Sequence, residues 1–129
     1  MKYRHGDIGI EPVKAQPTKG RKRLDHVTVG EGEVTGHSHR LVCATSEFRE
    51  SSRTHPVTGE AYTVQYPVQG REVKAKAFLY ERDGEMFISV KKKAALVHED
   101  HGAIFLNRGT YRKIQQREWS PEGVRRVID

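Results

Sequence analysis

"FLYERDGEMFISV", residues 78–90, decides the fold class. Two runs rich in aromatic and β-branched residues flank Asp83-Gly84, a dipeptide that tolerates the positive φ of a two-residue turn, so the stretch predicts a β-hairpin. Outward from it, short segments of the same kind alternate with Gly, Pro, Asn and Asp punctuation, and no long stretch keeps a 3.6-residue apolar period. Strands are expected at "DIGIEPV" (7–13), "DHVTVG" (25–30), "HRLVCA" (39–44), "AYTVQYP" (61–67), "EVKAKAFLYE" (72–81), "EMFISVKK" (85–92), "GAIFLN" (102–107) and "TYRKIQQREW" (110–119). The fold class is therefore mainly β: one small β-barrel or β-sandwich, closed or nearly so to limit exposed strand edges. A chain of 129 residues has the length of one domain, taken here as 1–129.

Two polar stretches interrupt the pattern and read as loops. One is basic, at 14–24, with Pro17 and Gly20. The other, at 47–60, contains "FRESSRTHPVTGE" and ends in a turn around Pro56–Gly59. The final "SPEGVRRVID" reads equally as a short helix or as an edge strand.

The longest apolar runs, "KAFLY" and "GAIFL", fall far short of the roughly 20 residues that span a bilayer. The opening "MKYRHGDIGIEPV" lacks the apolar core of a signal peptide, and the lone Cys43 excludes an internal disulfide framework. These features point to a soluble protein of the cytoplasm. A net charge of +6 favours polyanions, with Arg21, Lys22 and Arg23 of "KGRKRL" as the expected nucleic-acid contacts and Lys91, Lys92 and Lys93 as a second basic run.

Seven histidines are distributed unevenly. "GEVTGHSHRLVCA" (32–44) carries two of them where a glycine-rich stretch becomes apolar. Period-two alternation puts His37, His39, Leu41 and Cys43 on one strand face. Imidazoles aimed into a partly dry interior need partners, and a divalent metal satisfies two at once. A second cluster, "HEDH" (98–101), stands at the same kind of boundary, before "GAIFL". If both converge at one end of the fold, His37, His39, His98 and His101 make a four-ligand set for zinc, iron, manganese or nickel. The expected function is a metal-dependent hydrolase acting on an anionic substrate. His5, His26 and His55 stand outside this set, His55 as a loop residue before Pro56.

The H-x-H pair at a strand start, followed later by "HEDHGAIFLNRGTY", resembles the cupins over roughly residues 30–115. The resemblance implies a double-stranded β-helix with a metal, and His37 and His39 match its first motif by position. The glutamate that follows in cupins is not matched, since Arg40, Leu41, Val42 and Cys43 come next and the first acid is Glu47. No histidine follows the turn at Asn107–Gly109, so His98 or His101 would serve from another register.

"TYRKIQQREW" offers two readings. As the lining of a polar cavity it presents Tyr111 and Arg117, which with Glu99 are the candidate catalytic residues; as an exposed edge strand it is merely made soluble by charge. The cavity reading also permits a metal-independent ribonuclease, with His39, His98 and His101 as acid and base and Arg117 holding phosphate. A nucleic-acid-binding module with structural histidines, and an interaction protein without catalysis, are the remaining alternatives.

Overall fold

The computed structural model describes residues 2–6, 8–31 and 37–114. Among these, strands are β1 (Tyr3–His5), β2 (Ile8–Val13), β3 (Lys22–Arg23), β4 (Thr28–Glu31), β5 (Ser38–Cys43), β6 (Phe48–Thr54), β7 (Ala61–Pro67), β8 (Ala77–Arg82), β9 (Glu85–Val90), β10 (Ala94–Val97), β11 (Ile104–Leu106) and β12 (Gly109–Ile114). The β8–β9 hairpin forms as expected: Arg82 pairs with Glu85 across Asp83 (φ 52°) and Gly84 (φ 77°). This is the left-handed pair that a tight hairpin turn demands.

The strands form antiparallel sheets in the orders β1-β2-β12-β9-β8-β3, β11-β10-β5-β4 and β6-β7. None closes on itself, so the barrel alternative gives way to two open sheets sharing one core. Alternation explains how the core is filled. Ile8, Ile10, Leu79, Ile88 and Tyr111 of the six-stranded sheet meet Val29, Leu41, Ala94, Leu96 and Leu106 of the four-stranded one. On the far side of the four-stranded sheet, Val42, Ala95 and Val97 pack with Phe48 and Phe105, which brings the β6–β7 ribbon over that face.

Four expectations are corrected. The stretch 47–60 is no loop: Phe48–Thr54 pairs along its whole length with β7, and only the turn at its end matches, with Gly59 at φ 74°. Its polar sequence suits a ribbon with few buried positions. The basic stretch 14–24 contains β3, paired to β8 at Lys22↔Glu81. "AALV" (94–97), not expected as a strand, is β10, buried at all four positions between β5 and β11. Finally, β12 lies between β2 and β9 and is no edge strand. The face carrying Tyr111 enters the core, while Arg112 on the other is held between Glu11 and Glu85. Arg117 and the C-terminal segment lie outside the described residues.

Candidate metal centre

The β5–β10 ladder creates the site. Its register runs Ala94↔Cys43 to Val97↔Arg40, so one further step sets His98 opposite His39. Both continue the alternation of Leu96 and Leu41, which face the core, and so both imidazoles turn into the end of the space between the sheets. From the other sheet, β1 brings His5 to the same place, paired with Ile8 on the inward face of its sheet. The turn after β10 adds His101. Four rings converge, with centroid separations from 4.4 Å (His39–His98) to 6.3 Å (His5–His98).

The cluster is dry. His5, His39 and His98 are 2%, 3% and 4% exposed. Burial, then the neighbouring His39 and His101, hold the His5 pKa down to about 3. His98 is lowered for the same reasons, burial first and His101 next. Neutral imidazole is the state that binds metal.

Hydrogen bonding fixes the tautomers. The Gly102 carbonyl can only accept, so His5 Nε2 donates to it at 3.1 Å and a neutral His5 leaves Nδ1 bare. That atom lies 2.8 Å from His39 Nδ1, which must therefore be the donor. A neutral His39 is left with its lone pair on Nε2. In His98 the Asp100 amide donates to Nδ1 at 2.9 Å, so Nε2 carries the proton of the neutral ring. That Nε2 is buried without a hydrogen-bond partner. Leaving such a group unsatisfied costs about 1–3 kcal/mol.

His39, His98 and His101 offer one ligand atom each, all within 4.8 Å of one another. Bonds of about 2.0–2.1 Å to a tetrahedral ion require nitrogens about 3.3 Å apart, so the three would have to close inward by up to about 1.5 Å. His37, expected as a fourth ligand, sits outside this trio. Its Nδ1 is 2.8 Å from Asp100 Oδ2, and it groups with His98 and Asp100. Asp100 in that group is exposed, whereas the inner trio has two buried members. His5, which the sequence reading set aside, belongs to the inner cluster. The local signal for it is slight: a histidine before Gly6, whose φ of 61° lets the backbone pass the His101 ring.

The remaining expected residues divide. Glu99 adjoins the site: its carboxylate accepts from Arg40 at 2.9 Å and from the Ser38 amide at 3.2 Å. Burial alone would raise its pKa, but backbone hydrogen bonds and Arg40 outweigh it, for a net lowering. Tyr111 is a core residue whose hydroxyl donates to Asn107 O at 2.7 Å. His26 and His55 accept backbone amides of their own turns. A pocket beside His98 is lined by Arg40, Arg49, Tyr66 and Glu99, and a second by His5, His101, Arg53 and Tyr66.

A model for the family described as "Domain of unknown function (DUF8820)" matches residues 4–116. The chain belongs to that family. No curated protein and no solved structure matches it significantly. The matched range of the DUF8820 domain takes in all four clustered histidines, His5 included. Among its described residues, no helix is long and apolar enough to cross a membrane.

Proposed function

We propose that the DUF8820 domain holds a divalent first-row transition metal through His39, His98 and His101, with His5 orienting His39, and that it hydrolyses an anionic substrate there. The carrying observation is the buried, unpartnered His98 Nε2 in a cluster of imidazoles drawn from both sheets. Three imidazoles leave a coordination position open for water, as in catalytic rather than structural zinc sites. When bound, such an ion would make its water more acidic, towards a pKa of about 7. Arg49, lining the pocket beside His98, would supply positive charge for an anionic substrate, while Arg40 is engaged by Glu72 and Glu99, and Glu99, held by Arg40 and the Ser38 amide, would exchange protons with water. Of zinc, iron, manganese and nickel, zinc suits three imidazoles without a carboxylate best.

Were His98 to hold the metal through Nε2, its ring proton would pass to Nδ1, which would have to part from the Asp100 amide. The Asp100 carboxylate, 4.0 Å from Nδ1, is the nearby acceptor. A carboxylate on the far nitrogen of a liganding histidine is the usual arrangement in metal sites.

The test is elemental analysis of untagged protein, with zinc titrated into chelator-treated protein while the melting temperature is followed. About one equivalent of bound metal and a rise in melting temperature are expected. Metal-free protein indifferent to zinc would overturn the reading and leave His39 and His98 as acid and base.

A further inference from the structure

The outer face of the six-stranded sheet carries a second feature, independent of the histidines. Phe78, Tyr80 and Phe87 form an aromatic cluster there, with Tyr80 and Phe87 stacked at 5.3 Å. Three cations from two separate segments gather over it. The Arg23 guanidinium carbon lies 4.4 Å from the Phe78 centroid, that of Arg21 lies 5.3 Å from Phe78 and 4.8 Å from Tyr80, and Lys91 Nζ lies 5.6 Å from Phe78. At the other end of the same face, charge is matched, because Arg112 joins Glu11 and Glu85. At Phe78 it is not: among the described residues no ion pair joins Arg21, Arg23 or Lys91 to a carboxylate.

Holding three like charges around one ring is unfavourable without a counter-charge, and the ring faces offset only part of it. Contact with the rings also limits the guanidinium rotamers, and a guanidinium has five N–H donors, so that Arg21, with one engaged by Tyr80, keeps others for an acceptor such as phosphate. We propose that Arg21, Arg23 and Lys91, set on Phe78 and Tyr80, form a docking site for the phosphodiester backbone of single-stranded nucleic acid. The rings themselves are buried beneath the cations, so bases do not stack on them. Recognition is of backbone charge, without sequence preference. The +6 net charge of the chain works in the same direction. Lys22 takes no part. Strand alternation puts it on the opposite side from Arg21 and Arg23, the side on which Leu24 packs against the main core.

The experiment is fluorescence anisotropy of a labelled single-stranded oligonucleotide across a salt series, using the full chain. The triple variant Arg21→Gln, Arg23→Gln, Lys91→Gln is compared with a control of equal charge loss at residues that contact neither ring, Lys2→Gln, Lys22→Gln, Arg71→Gln. Melting temperatures confirm that both fold. The first variant is expected to bind at least tenfold more weakly at low salt, and its log–log salt slope to flatten by about 2, as loss of three single-strand phosphate contacts requires. The control is expected to keep most of the affinity. No binding by the unmodified chain at low salt, an equal loss in both variants, or heparin binding with the same dependence on Arg21, Arg23 and Lys91 would each overturn the assignment.

Discussion

His5 Nδ1 and His39 Nδ1 lie 2.8 Å apart although the residues are 34 positions apart in the chain. His5 is anchored in turn by Gly102 O, so the direction of both hydrogen bonds is set and the lone pair of His39 is left on Nε2. His5→Phe removes that control and strands the His39 Nδ1 proton, at a cost of about 1–3 kcal/mol. Metal affinity is expected to fall roughly 10–100-fold, as with other residues that orient a ligand. Competition against a chelating dye reads the change directly, and an unaltered affinity would remove His5 from the site.

The two histidines of H-x-H are expected to differ. His39→Ala removes a ligand and abolishes stoichiometric metal, whereas His37→Ala removes only a partly exposed partner of Asp100 and leaves about one equivalent bound. Elemental analysis of the two variants side by side checks this. Equal loss would move the ion to the outer group of His37, His98 and Asp100.

Acid is expected to unfold the metal-free protein in a defined window. His5 titrates near 3 in the folded chain against 6.5 for an ordinary histidine, and His98 is lowered too. Because the folded pKa is the lower, these groups stabilise the fold fully above about 6.5, and the stability is lost as pH falls towards 3 while the unfolded chain takes up protons. Melting temperatures in chelator should decline from about pH 6.5 to about 5, before carboxylates contribute much, and the decline should be shallower in His5→Phe. A flat profile over that range would mean the cluster is not held neutral.

Gly6→Ala is expected to damage the site without replacing a ligand. At a φ of 61°, a side chain adds about 1–2 kcal/mol of strain, and its Cβ would fall 2.5 Å from His101 Nε2. The ring must move, and metal affinity should drop roughly tenfold or more, in the range of other perturbations of ligand support. Chelator competition together with the melting temperature separates the two effects.

The sequence revealed strands wherever one face differed from the other. The β8–β9 hairpin, with its aromatic runs and Asp83-Gly84 turn, declares itself locally. β10 does not, because Ala94–Val97 is buried on both faces and shows no alternation. β6 fails for the opposite reason: Arg49, Glu50, Ser52 and Arg53 are all exposed, so no apolar period marks it. His39 and His98 are legible as strand-boundary histidines, but their pairing rests on a ladder register that no local pattern encodes. His5 is harder still. It is a lone histidine on a three-residue strand, brought to the cluster by the pairing of β1 with β2 and by the packing of two sheets.

The β6–β7 ribbon forms its ladder with itself alone. It is tied to the rest of the chain by Phe48 on Phe105, by the Ala103 amide donating to Gln65 O, and by Val64 against Gly102. Its outer end, from His55 to Glu60, touches none of these anchors. Lengthening the ribbon there by residue pairs preserves its alternation and shifts no core register, yet it alters the wall that Arg53, Tyr62 and Tyr66 raise beside His101. The fold thus separates the part that sets the histidines from the part that shapes their approach, and the second can be redesigned while the first stays fixed.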